Sequence, residues 1–183
     1  MITIGMSSWV GKEEIKKFLL PTLHNGDKIC DMGPGWGVYR DLLGHQFEWT
    51  GVEIWPETVK ALTNNYNHVY ECNIKDFNYP EDYDLVIFGD VLEHLSVEDA
   101  QECVRKAKLH SKAIMIAIPY NTPQEPLYGN EAEKHIQTNL TPELFDELYP
   151  GFMLVYSHKN YAYYYWNKEV GDYKNDFSNL DFN

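Results

Sequence analysis

Ile29-Cys30-Asp31-Met32-Gly33-Pro34-Gly35-Trp36-Gly37 joins a short apolar run to a helical pattern through alternating glycines. Glycines between a strand and a helix let a ligand approach the backbone with no Cβ in the way. A glycine turn of this kind also serves dinucleotides, mononucleotides and purely structural loops, so its flanks must say which ligand it suits. The dinucleotide fingerprint requires a further glycine where this chain has Val38. Asp31 stands at the strand end, where a pyrophosphate would lie; a carboxylate there repels phosphate and attracts a cation.

S-adenosylmethionine meets that charge requirement, because it carries an ammonium and a sulfonium and no phosphate. Glu53 ends the following apolar run, Trp49–Glu53, at a place where a carboxylate can accept hydrogen bonds from both ribose hydroxyls.

Around these two runs the chain alternates strand-like and helical patterns, the order expected of βαβ units and a mostly parallel sheet. Gly11–Leu20 reads as a helix stopped by Pro21, Val38–Leu43 as a second, and Pro56 suits the first turn of a third. Ser96 starts a fourth helix, with Asp99 in capping-box position, and Thr141-Pro142-Glu143 starts a fifth. Strands are expected at Lys28–Asp31, Trp49–Glu53, His68–Cys72, Tyr83–Phe88 and Lys112–Ile118. Phe152–Tyr156 and Tyr161–Trp166, separated by Ser-His-Lys-Asn, read as a closing antiparallel hairpin. The expected fold is therefore α/β: a Rossmann-like, seven-stranded, mostly parallel sheet with helices on both faces. One domain is expected over residues 1–166, with a lid or substrate loop at about 120–140 and a polar tail at 167–183.

Asp31-Met32-Gly33-Pro34-Gly35-Trp36-Gly37 resembles the first motif of class I S-adenosylmethionine-dependent methyltransferases, and Glu53 the acidic residue that follows it. Tyr83-Asp84-Leu85-Val86-Ile87-Phe88-Gly89-Asp90-Val91-Leu92-Glu93-His94 is similar to the family's fourth-strand motif, which often ends in the same four residues. Glu133 to Leu144 is similar to a weaker pattern of small-molecule members, in which an Arg often stands where this chain has Gln137. The resemblance implies a cofactor site of Asp31, Gly33, Gly35, Gly37, Glu53, Ile54, Gly89 and Asp90, with Asn73 and Ile74 toward the adenine. It also implies methyl transfer to a small-molecule acceptor, with S-adenosylhomocysteine as the product.

Such a displacement needs a general base only if the acceptor must lose a proton. His94, after the fourth strand, and His135, beside the expected lid, are the catalytic candidates. No metal is expected, because clustered carboxylates after the fourth and fifth strands are missing: the fifth strand ends Ile118-Pro119-Tyr120-Asn121. Trp9, Trp36, Tyr39, Tyr120 and Tyr128 are candidates to line an acceptor pocket. Two other readings share the fold: a binding module that regulates a partner without chemistry, and an aminopropyl-transferase-like enzyme.

Bulk properties narrow the partners. The formal charge of −13, with no stripe of Lys or Arg, disfavours nucleic acid and anionic membrane. Cys30, Cys72 and Cys103 have no CxxC spacing and read as reduced thiols. The start MITIGMSSWVGKEEI lacks the basic and apolar regions of a signal peptide, and no run approaches a membrane span. Cytoplasm is the expected location; the oligomeric state is open.

Overall fold

In the computed structural model, residues 9–127 and 129–171 are described. The expected lid residue Tyr128 and the tail beyond Gly171 lie outside the described residues.

Seven strands form one sheet: β1 (Lys28–Met32), β2 (Glu48–Glu53), β3 (His68–Glu71), β4 (Tyr83–Gly89), β5 (Ser111–Pro119), β6 (Met153–His158) and β7 (Tyr161–Asn167). Their order is β3-β2-β1-β4-β5-β7-β6. The first five pair in parallel, and β7 inserts antiparallel between β5 and β6. The expected hairpin is present, but its turn is only Lys159-Asn160, with Lys159 at φ 54. Ser157 and His158 pair with Ala162 and Tyr161, extending β6 beyond the expected end at Tyr156. The third strand stops one residue before Cys72.

Strand alternation divides the core. Cys30, Met32, Val86, Phe88, Ile114 and Ile116 face one layer. Ile29, Leu85, Ile87, Met115 and Ala117 face the other. The first layer is covered by α4 (Val97–His110), through Ala100, Cys103, Val104 and Ala107, and by Phe145 of α5 (Pro142–Leu148). The second is covered by Ile15 and Leu19 of α1 (Lys12–Leu19), Leu42 and Leu43 of α2 (Val38–Leu43), and Leu62 of α3 (Pro56–Leu62). Helix starts follow their sequence signals. Ser96 Oγ accepts from the Asp99 amide, and Thr141 Oγ1 accepts from the Leu144 amide.

Two features of the second layer bear on the site above it. Gly89 ends β4 against the buried Tyr39 ring; a Cβ there would sit 2.1 Å from Tyr39 Cε2. Lys12 is 1% exposed, with Nζ 3.8 Å from the centroid of the Tyr39 ring. Burial lowers its pKa to about 8, against the attraction of Asp90 and Asp31.

These contacts give two expected outcomes. Gly89→Ala must displace Tyr39 from the core and should cost about 1–3 kcal/mol, read as a lower urea midpoint; an unchanged midpoint would show that the ring moves freely. Folded Lys12 releases its proton near pH 8, whereas the unfolded chain keeps its own to 10.5. Over that window the unfolded state binds more protons, so the Lys12 penalty fades and stability gains as pH rises. The stability difference between wild type and Lys12→Met should therefore shift toward wild type by on the order of 1 kcal/mol per pH unit above pH 8. A pH-independent difference would place the ammonium in a solvated site.

Candidate functional site

The site lies at the carboxyl ends of β1, β2 and β4, because parallel pairing delivers all three ends to one edge. Met32 is level with Phe88, so the turn at Gly33 opens beside Gly89. Gly33, Gly35 and Gly37 all have positive φ, at 69°, 53° and 82°. A Cβ on Gly33 would strike Val91 Cγ2 at 2.6 Å, whereas one on Gly35 would meet open space over the cleft. Gly33 thus permits close packing of the turn on the β4 loop, and Gly35 leaves backbone exposed to a ligand.

Two adjoining cavities open there. The larger, about 430 Å³, is lined by Gly35, Trp36, Gly89, Asp90, His94 and His135, among others. The smaller, about 150 Å³, is lined by Glu53, Ile54, Asn73 and Ile74. Gly33, Gly35, Asp90, His94 and Glu133 border both.

Glu53 is buried and its carboxylate organises the smaller cavity. Oε1 accepts from the amides of Ile54 and Trp55, at 2.8 and 2.9 Å, and Oε2 accepts from Gly35 at 3.0 Å. A carboxylate has about four acceptor sites. In this arrangement Oε2 keeps the remaining one, so a ribose would find a single vacant lone pair unless the Gly35 bond exchanges. Asn73 Oδ1 accepts from the Lys75 amide and holds the short turn that carries Ile74.

Asp31 and Gly37 do not line either cavity. The period-2 alternation of β1 turns Asp31 to the face of Ile29, where Tyr66 Oη donates to its Oδ2 at 2.9 Å. Burial raises its pKa to about 7, while the Tyr66 bond and Lys12 pull the other way and Glu53 adds to the rise. Asp31 therefore supports the turn from below rather than touching what lies above it. Asp90, at φ 55, does reach the cleft, and its carboxylate accepts a hydrogen bond from Tyr161.

The two candidate histidines come together, with ring centroids 4.7 Å apart and edge to face. Each gives Nδ1 to a backbone carbonyl: His94 to Lys134 at 3.1 Å, His135 to Thr122 at 2.6 Å. A carbonyl only accepts, so each ring carries a proton on Nδ1 and turns Nε2 away from that carbonyl. Burial and the neighbouring His135 lower the His94 pKa to about 4. Glu93, quoted in the fourth-strand motif but not expected at the site, lies beside them. Burial, with Asp90 adding, pushes its pKa well above the usual carboxylate range. Its main-chain carbonyl accepts from the amides of both Ile136 and Gln137.

Gln137 has its own task in place of the Arg expected from related sequences. Its amide donates to the carbonyls of Leu92 and Leu95, at 2.8 and 3.1 Å, and so braces the turn that presents Glu93 and His94. The aromatic lining is smaller than expected. Trp36 borders the cleft, edge to face with Trp55. Tyr39 and Tyr120 are buried in the core, Tyr120 hydrogen-bonded to Tyr164, and Trp9 is exposed without lining either cavity.

Sequence reasoning missed Glu93, Glu133 and Tyr161 as site residues. Glu93 carried a signal, since it stood inside a quoted motif. Glu133 likewise opened a quoted stretch, whereas Tyr161 carried no signal, because a distant strand brings it there.

Comparison with known proteins follows the same outline. Residues 30–112 match a family model described as a methyltransferase domain. No curated protein matches the chain. Among solved structures, an S-adenosylmethionine-dependent methyltransferase from Clostridium acetobutylicum aligns with TM-score 0.65 and 11% identity, over 84% of this chain and 89% of its own. Magnesium protoporphyrin IX methyltransferase from Synechocystis, solved with S-adenosylmethionine bound, aligns with TM-score 0.58 and 15% identity, over 88% and 85%. The 1,6-didemethyltoxoflavin-N1-methyltransferase of Burkholderia thailandensis aligns with TM-score 0.61 and 16% identity, over 87% and 78%. At such identities the structural likeness is one of fold. The match to a methyltransferase domain spans the strands that build the cleft, and the sheet as a whole has the fold of solved S-adenosylmethionine-dependent methyltransferases.

Proposed function

We propose that this protein binds S-adenosylmethionine in the cleft and directs its methyl group to a small-molecule acceptor. The observation that carries this reading is the charge of the lining. Glu53, Asp90 and Glu133 border the two cavities, and among the described lining residues Lys159 is the sole Lys or Arg. Such a lining repels phosphate and favours a ligand bearing an ammonium and a sulfonium. The glycine turn fits the same ligand, because Gly35 leaves open space for it and Glu53 retains an acceptor site for a hydroxyl.

On this reading Gly33, Gly35, Gly89 and Asp90 hold the amino-acid end, Glu53 and Ile54 the ribose, and Asn73 and Ile74 the adenine. Asp31 and Gly37 shape the turn. Bound S-adenosylmethionine supplies a methyl carbon on cationic sulfur; an acceptor lone pair bonds to it as the carbon–sulfur pair returns to sulfur, giving S-adenosylhomocysteine. The chain's contribution is alignment, worth on the order of 7–11 kcal/mol when two reactants are held in register. His94 and His135 stand on the acceptor side of the larger cavity, and their Nε2 lone pairs are the bases available there.

A small acceptor is supported by the cavity, about 430 Å³, and by the formal charge of −13. Two of the structural relatives are named for compact acceptors, a porphyrin and a toxoflavin precursor. An acidic cleft also suits a polyamine, the acceptor of an aminopropyl transfer; the identity of the product separates the two reactions.

Calorimetric titration tests the cofactor half of the proposal. S-adenosylmethionine and S-adenosylhomocysteine should bind with micromolar Kd, and NAD should not bind. Glu53→Ala should weaken both by about tenfold or more, equivalent to about 1.4 kcal/mol. Asp31→Asn should have a smaller effect, because its carboxylate does not reach the cleft. A folded wild type that binds neither sulfur compound would sink the proposal.

A further inference from the structure

We infer that Glu93, His94 and His135 form a three-ligand site for one divalent transition-metal ion, with the remaining coordination positions open to the cleft. One ligand-capable atom from each residue lies within 4.8 Å of the other two. Glu93 is 1% exposed, and neither carboxylate oxygen has a hydrogen-bond partner among the described residues. His135 Nε2 faces Glu93 Oε1 at 3.9 Å, which is too long for a hydrogen bond. What converges at this point is a buried carboxyl group without a hydrogen-bond partner and two imidazoles whose Nδ1 atoms are already engaged by carbonyls. A cation satisfies all three at once.

The surroundings match the demands of a metal ligand set. A ligating histidine characteristically donates its other ring N–H to a carbonyl or carboxylate, which fixes the tautomer and aims the ring. Both histidines do so here, through Thr122 and Lys134. Those carbonyls belong to the loop after β5, and the Glu93 carbonyl is tied to the amides of Ile136 and Gln137. The ligands are therefore held by backbone from two segments, with Gln137 bracing the turn between Leu92 and Leu95.

Two imidazoles and one carboxylate select borderline ions such as Zn²⁺ or Co²⁺ over Mg²⁺ and Ca²⁺, which favour all-oxygen shells. Bonds of about 2.0–2.2 Å place tetrahedral ligands roughly 3.4 Å apart, so the side chains must close by about 1 Å around the ion. The expectation of no metal rested on missing carboxylates after β5. The ligands instead come from the turn after β4 and from the loop that folds back onto it. An ion with open positions here would bind an acceptor hydroxyl and favour its deprotonated form, releasing the proton to solvent. That use rests on the methyl-transfer reading; the site itself rests on the side chains alone.

The test is titration of tag-free, chelator-treated protein with Co²⁺, followed by visible absorption and calorimetry. S-adenosylhomocysteine binding is measured on the same samples. Wild type should bind one equivalent with the intense visible bands of four- or five-coordinate cobalt, displaceable by Zn²⁺. Glu93→Gln and His94→Ala should each lower that affinity at least tenfold while retaining S-adenosylhomocysteine binding. His94 is only partly buried, so its variant keeps the test open should Glu93→Gln fail to fold. Stoichiometric cobalt binding without S-adenosylhomocysteine binding would uphold the metal site and defeat the cofactor reading. No cobalt binding by a wild type that binds S-adenosylhomocysteine, or equal binding by the variants, would overturn the site.

Discussion

Parallel pairing of β1 with β4 is the constraint on which the rest of this molecule depends. After β1 the chain turns toward β2, and after β4 toward β5, so the two connections part and leave a crevice between them. The register that sets Met32 level with Phe88 brings the glycine turn and the Asp90 loop to one edge. Every group at the cleft is placed relative to these two strand ends. Gly33 is held against Val91, and Gly89 against Tyr39, so both connections sit close with no side chain between them.

Charge gives that crevice its chemical character. Lys12, Asp31 and Glu93 are buried around it, and their pKa values move toward the neutral forms because burial outweighs the partners on offer. Burying several ionisable groups under one turn costs stability, and a fold keeps such an arrangement where it has use for the field it creates. At the lining itself the carboxyl groups of Glu53 and Asp90 outnumber cations, which suits a cationic cofactor. The same lining converges with two imidazoles at the far side, where a second cation finds its ligands.

The loop after β5 closes that far side. Between its apolar anchors Tyr120 and Leu140 it is pinned by backbone. The Glu93 carbonyl takes the amides of Ile136 and Gln137, and the Gln137 side chain returns to the Leu92 and Leu95 carbonyls. The carbonyls of Thr122 and Lys134 orient the histidine rings. A glutamine serves this purpose better than an arginine would, since a neutral amide can be buried against carbonyls without an uncompensated charge.

The sequence by itself determined the sheet, its helices and the residues of the glycine turn. Apolar periodicity, caps and glycines are local properties, and local geometry follows from them. Boundaries drifted by a residue or two, as at Ser157 and His158, where pairing extends β6, and at Cys72, before which β3 stops. Glu53, Asn73 and Asp90 were legible for the same reason, because strand ends in an open parallel sheet meet at one edge. Side-chain direction at the site belonged to tertiary structure. Asp31 looked like a cleft residue until alternation along β1 turned it to Tyr66. Glu93 looked like part of a strand-end motif until the turn after β4 carried it inward to His135, a residue far away in sequence. Contacts of that kind arise from packing between segments whose patterns are independent of one another, so no periodicity along the chain encodes them.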